Sequence, residues 1–174
     1  MIKFQKGFTL IELLIVIVII GILASLLVAY INPLLQFGKA RNGARKADLR
    51  AITNALELYK LANDDYPISP VGYYWCDTAS TGYYACGANN PLNVLIGTNG
   101  ELKRLPVDPR DGKTYLPCND GNQVGYLYHS DGDNYKLLAH CSPEGNAYKT
   151  TDPFYDPIRP TWSWQISTPG GINW

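Results

Sequence analysis

An α+β fold is predicted for this 174-residue chain. A long N-terminal helix, membrane-spanning in its first half, packs through its second half on a small antiparallel β-sheet head with disulfide-stapled loops. Three observations predict it. Residues 8–31 are apolar with Glu12 as their one charge. A helical repeat resumes at Phe37 and runs to Ala62. Strand-like runs separated by turn residues then fill residues 114–141, the pattern of a sheet that buries one face on a helix. Fifteen basic and fifteen acidic residues cancel, so no bulk charge draws the chain to nucleic acid.

The apolar run comes first. Its 24 residues make a helix of ~36 Å at ~1.5 Å per residue, enough for a hydrocarbon core of ~30 Å. A cleaved secretory signal would be shorter and followed by small residues at a cut site, whereas Ala24 and Ser25 lie inside this run. The segment is therefore expected to stay as a membrane helix. Residues 1–7 precede it as a polar leader with Lys3 and Lys6, while Lys39, Arg41, Arg45, Lys46 and Arg50 follow it. By the positive-inside rule alone, that excess would place the C-terminal part in the cytoplasm. Glu12 is costly inside an apolar helix, about 2.5–3.5 kcal/mol at the bilayer centre, and so asks for a partner. A free amine on Phe8, at the positive end of the helix, would be one.

Lys6-Gly7-Phe8-Thr9-Leu10-Ile11-Glu12-Leu13, followed by the Ile/Val/Leu run with Gly21-Ile22-Leu23-Ala24, resembles the N-terminus of type IV pilins and type II secretion pseudopilins. The resemblance implies cleavage by a prepilin peptidase between Gly7 and Phe8 and N-methylation of Phe8. It also implies pairing of Glu12 with the Phe8 amine of a neighbouring subunit. Against the charge rule, it implies a precursor in the cytoplasmic membrane with its head outside. Leu105-Pro106-Val107-Asp108-Pro109, Gly112-Lys113-Thr114-Tyr115 and the segment Tyr126 to Tyr135 resemble the region entering the sheet, and the hairpin, of the same family.

Residues 32–62 continue the helix as an amphipathic segment. Pro33, Gly38 and Gly43 are poor helix material and are expected to break it, either as a kink or as a stretch that unwinds when subunits pack. Beyond them Phe37, Ala40, Ala44, Ala47, Ala51, Ala55, Tyr59 and Ala62, joined by Ile52 and Leu56, recur at helical spacing. This small-residue stripe is expected to face the head or another helix. Lys39, Arg45, Lys46, Arg50, Glu57 and Lys60 are assigned to the other faces. The basic cluster among them is expected to be solvated or to pair with acidic groups of adjacent subunits, with no specific nucleic-acid partner.

Residues 63–174 form the extracytoplasmic head: a loop region 63–113, a sheet region 114–141 and an aromatic, Pro-rich tail 142–174. The strand-like runs are 114–118, 124–129 and 134–141, with Asn119-Asp120-Gly121-Asn122 and Asp131-Gly132-Asp133 as turns. Cys76, Cys86, Cys118 and Cys141 allow three pairings. Cys76–Cys86 and Cys118–Cys141 are favoured because each joins near neighbours in sequence, and disulfides place the head in an oxidising compartment. Zinc is disfavoured for want of a CxxC. Asp131 and Asp133 read as a hairpin turn, because a calcium loop would want oxygen ligands where Tyr135 and Ser142 stand. Calcium, which similar pseudopilins bind, is left with no ligands assigned, Asp152 and Asp156 being the tail's acidic candidates. Trp162, Trp164 and Trp174 are expected to pack over the sheet, with surface adhesion as the alternative. His129 and His140 are the only histidines and accompany no nucleophile or phosphate loop, so no enzyme is expected.

The leading expectation is a major pilin-like structural subunit of an extracellular type IV pilus, polymerised through the N-terminal helix. Its partners would be its own copies, the prepilin peptidase, an assembly platform with its ATPase, and the lipid bilayer before assembly. The alternative is a type II secretion pseudopilin in a short periplasmic filament; a third is an uncleaved membrane-anchored binding protein.

Overall fold

The computed structural model describes residues 7–30, 32–72, 74–79, 84–97, 101–113, 118, 123–145 and 148–174. The chain parts into two compact units, divided between Phe37 and Gly38.

In the first unit, helix α1 (Leu10–Tyr30) begins with a capping box. Thr9 donates its N–H and Oγ1–H to Glu12 Oε2 at 2.9 and 2.8 Å, and the Glu12 N–H returns to Thr9 Oγ1 at 3.3 Å. The described side chains of α1 are exposed, and Leu10–Val28 is long and apolar enough to cross a bilayer.

Helix α1 ends at Tyr30 and helix α2 (Pro33–Asn63) begins anew, so the expected break falls at Asn32-Pro33, whereas Gly38 and Gly43 do not interrupt the helix. Asn32 caps it, its Oδ1 accepting the Leu35 N–H at 3.4 Å, and Pro33 takes the first helical position, where its missing N–H costs nothing. Pro33 thus starts a helix. Gly38 and Gly43 lie inside it; each costs about 1 kcal/mol relative to Ala, too little to break a helix anchored around them by Arg41, Asn42 and Arg45. Asp64, at φ 66°, ends α2 in the left-handed conformation, its N–H bonding Lys60 O at 2.9 Å.

The buried face of α2 matches the predicted stripe at Ile52, Ala55, Leu56 and Tyr59 but departs from it in the N-terminal half of the helix. Gly38, Asn42, Arg45, Leu49, Ile52, Ala55 and Leu56 are buried, while Phe37, Ala40, Ala44, Ala47 and Ala62 are exposed. The cause is Arg45. Periodicity placed it among the solvated residues, but carboxylates from distant loops meet it, so the inward face is rotated toward it.

The second unit carries a four-stranded antiparallel sheet in the order β1 (Cys76–Asp77), β2 (Gly125–Ser130), β3 (Tyr135–His140), β4 (Ser163–Ser167). Tyr126 pairs with Ala139 and Tyr128 with Leu137; Leu137 then pairs with Ile166 and Ala139 with Trp164. With a side-chain period of two, these residues share one face. There they form the core with Leu49, Ile52, Ala55 and Leu56 of α2. The turn between β2 and β3 is closed by Asp131, whose Oδ1 accepts the Asn134 N–H at 2.8 Å, the hairpin reading of Asp131-Gly132-Asp133.

Two strands were not anticipated. β4 lies in the tail, where prolines concealed a five-residue strand, and β1 spans only two residues. Of the run 114–118, residues 114–117 lie outside the described residues, as do residues 119–122 of the first predicted turn. The outward face of the sheet is covered by the tail: Trp174 meets His129 at 4.7 Å between ring centroids and Trp162 meets His140 at 5.2 Å. Trp164 sits on the opposite, helix-facing side and is 3% exposed. Disulfides join Cys76 to Cys86 and Cys118 to Cys141, with Cα separations of 5.4 and 5.2 Å.

Candidate assembly surface

The predicted processing and assembly residues lie at the start of the first unit. Gly7 and Phe8 precede the first turn of α1, and Phe8 is 86% exposed. Glu12 is exposed as well. Its local job is to cap α1 through Thr9, and that leaves one carboxylate oxygen, Oε1, outside the capping hydrogen bonds. Behind it follow the apolar side chains from Leu13 to Val28, all exposed among those described. Such an unbroken apolar surface needs lipid or other apolar helices around it.

In the second unit, the polar residues of α2 bind the head. Arg45 and Asp108 have fully buried side chains, 2.7 Å apart at Nε and Oδ2, with a second bond from Nη2 to Oδ1 at 3.0 Å. Arg45 Nη1 also reaches Glu144 Oε1 at 2.8 Å. Arg41 clasps the other side of Glu144, Nη2 to Oε2 at 2.6 Å. Asn42 mimics a backbone partner for Glu144, donating to its O and accepting from its N, both at 3.0 Å. Lys46 Nζ meets Asp152 at 2.6 Å and lies 4.4 Å over the Trp164 ring.

Burial pushes the Glu144 carboxyl up, but hydrogen bonds and charge from Arg41 and Arg45 outweigh it and hold Glu144 below the usual carboxylate range. Tyrosines complete the attachment. Tyr126 donates to Asp48 at 2.7 Å, and Tyr66 and Tyr135 donate to Glu57 at 3.1 and 3.3 Å. Burial and then Glu57 push the Tyr66 hydroxyl up to about 12.

This clasp was not anticipated. Arg41, Arg45 and Lys46 pair within their own chain, and their partners lie 63 to 106 residues away. Local periodicity carries no sign of such pairs. Asp108 did lie in one quoted segment, Leu105 to Pro109, without a role.

The three carboxylates of the tail are all engaged by the chain's own cations: Glu144 by Arg41 and Arg45, Asp152 by Lys46, and Asp156 by Lys136 and Arg159. A donor set already neutralised in this way does not fit a resident calcium ion. Cys118, His140 and Cys141 lie close together, but the two sulfurs are bonded to each other and so are not thiolate ligands. His140 Nδ1 lies 2.7 Å from Gln123 O and must donate there.

The family model described as the prokaryotic N-terminal methylation motif matches residues 2–28. Type II secretion system core protein G of Escherichia coli (strain K12) is 40% identical over 130 residues, covering 74% of this chain and 81% of that protein. The protein of the same name from Vibrio cholerae serotype O1 is 41% identical over 132 residues, covering 74% and 82%. That from Klebsiella pneumoniae is 35% identical over 144 residues, covering 82% and 90%. No solved structure matches the chain. The likeness runs through the head as well as the N-terminal motif, and the chain belongs to the type II secretion system core protein G family, pseudopilins of the type IV pilin-like group.

Proposed function

We propose that this chain is the structural subunit of a short periplasmic filament in a type II secretion system. The observation that carries this reading is the extent of the likeness: 35–41% identity to core protein G relatives, covering 74–82% of the chain. An N-terminal motif alone is common to pilins and pseudopilins. A shared head favours the secretion filament over the extracellular pilus that the sequence first suggested.

In this reading the peptidase cuts between Gly7 and Phe8, Phe8 is methylated, and the new amine of one subunit meets Glu12 of its neighbour. Apolar packing of α1 supplies the cohesion that lipid supplies before assembly. The exposed row Ala40, Ala44 and Ala47 on α2 presents small side chains that permit close helix approach. The role is structural, with no catalytic step, and the partners are further copies of the chain, the peptidase, and the membrane platform with its ATPase.

Mass spectrometry of the N-terminal peptide, from mechanically sheared surface material and from membranes, tests the reading. A methylated Phe8 terminus confined to the membrane fraction is expected. The same terminus abundant in sheared filaments would restore the extracellular pilus, and an intact Met1 leader in both fractions would remove the filament altogether.

A further inference from the structure

Lys136 stands on β3 with its side chain on the outward face of the sheet, yet it is completely buried. Its Nζ meets three oxygens: Asp156 Oδ1 at 3.1 Å, Ile172 O at 3.0 Å and Trp174 O at 2.9 Å. All three only accept, and an ammonium has three N–H donors, so the set is matched bond for bond. Asp156 is itself fully buried. Its Oδ1 also accepts the Ile158 N–H at 2.9 Å, and its Oδ2 lies 3.5 Å from Arg159 Nη1. Arg159 Nη1 in turn donates to Trp174 O at 2.6 Å.

The tail reaches this position through two glycines. A Cβ at Gly171 would overlap the Tyr135 carbonyl, and one at Gly170 would overlap the Asn134 side chain. Thr168 fixes the approach, its N–H bonding Tyr135 O at 3.1 Å and its Oγ1 accepting the Tyr135 N–H at 3.2 Å. The result is a cradle of one side-chain carboxylate and two main-chain oxygens around a point charge. That is the ligand chemistry of a hard metal ion, but at N–H···O spacing instead of the ~2.3–2.6 Å of calcium.

We propose that the Lys136 ammonium is the resident cation of this cradle, so that the tail closes over the sheet without a divalent metal. Lys136, Asp156 and the backbone of Ile172 and Trp174 then form one closing unit of the head. With Glu144 and Asp152 paired to other cations of the chain, no acidic side chain of the tail is left for calcium to recruit. The proposal stands apart from the filament's location, since it concerns the folding of the subunit itself.

Thermal unfolding of the full-length protein in detergent micelles, followed by tryptophan fluorescence, provides the test. The wild-type Tm in EDTA and in excess calcium should agree within about 1 °C; a resident calcium ion at a hundred times its dissociation constant would raise it by roughly 5–10 °C. A rise of that size overturns the proposal, and this measurement needs no variant. Lys136→Met, which keeps the stem and removes the charge, should lower the Tm by roughly 5–15 °C. Asp156→Asn should lower it in the wild type but add little in the Lys136→Met background. A Lys136→Met protein that melts like the wild type, or additive losses in the double variant, would show that Lys136 only fills space.

Discussion

Arg45 of α2 and Asp108 of the loop before the sheet are joined by two hydrogen bonds, at 2.7 and 3.0 Å, with neither side chain exposed to solvent. Burying a charge is expensive unless it is paired and fully hydrogen-bonded. Arg45 meets that condition with Asp108, Glu144 and Asn42. The pair therefore sets which face of the N-terminal half of α2 turns inward, where the spacing of apolar residues had pointed to Ala40, Ala44 and Ala47 instead.

Removing one partner should be far worse than removing both. Asp108→Ala leaves a buried guanidinium short of a counter-charge and is expected to destabilise the head by about 3–5 kcal/mol. Adding Arg45→Leu should recover much of that loss, because Glu144 keeps Arg41. Denaturant titration of the two variants measures the difference; a double variant weaker than Asp108→Ala would refute the account.

Asp77 carries a pH dependence. It is 5% exposed, and burial first, then the charges of Asp111 and Asp108, pushes its carboxyl up to about 7. An unfolded Asp titrates near 4. Between those values the folded chain holds a proton that the unfolded chain has released, so stability falls as pH rises from about 4 to about 7. Below that window the penalty is absent, and above it the penalty is complete, on the order of 4 kcal/mol. Asp77→Asn should remove this component. A Tm difference between variant and wild type that stays flat from pH 4 to 7 would contradict it.

Glu12 has a capping job and a proposed assembly job, and substitutions separate them. Glu12→Gln preserves the capping geometry with Thr9 while removing the charge. It should leave the Tm of the head unchanged and abolish or sharply reduce filament formation. Thr9→Ala should fray the start of α1 by about 1 kcal/mol and affect filaments less. Electron microscopy of overexpressed filaments reads both outcomes.

Gly43 has open space where a side chain would go, with nothing within 4 Å of a built Cβ. Gly43→Ala should thus stabilise the isolated subunit by about 0.5–1 kcal/mol. Should residues 32–43 unwind on assembly, as proposed for this stretch, the same change would hinder filament growth, and hydrogen exchange there would be weakly protected in filaments. Strong protection throughout would dismiss unwinding.

The two bridges are expected to be independent. Cys76→Ser/Cys86→Ser and Cys118→Ser/Cys141→Ser should each lower stability by about 2–4 kcal/mol. Alkylation without reductant should leave the wild-type mass unchanged. Four added alkyl groups would eliminate both bridges.

Features encoded by neighbours along the chain were legible before any coordinates. The apolar span, the Gly7-Phe8 junction with Glu12, and the hairpin closed at Asp131 each depend on residues within a few positions of one another, where periodicity and turn chemistry act directly. Pro33 is legible on the same ground: after Asn32 it ends one helical run and starts the next. β4 was missed because the prolines around Ser163–Ser167 resembled a loop, and only pairing with β3 makes that segment a strand.

By itself, then, the sequence determined a membrane-length helix, an amphipathic helix after it, a small sheet and the family motif at the N-terminus, all products of short-range pattern. Tertiary structure alone decided the inward face of the N-terminal half of α2, the place of Trp164 in the core and the partners of Arg45 and Lys136. The partners are oxygens of Asp108 and Glu144 for Arg45, and of Asp156, Ile172 and Trp174 for Lys136, all distant in sequence. A buried cation is tolerable only where such oxygens converge on it, and their convergence is a property of the folded chain.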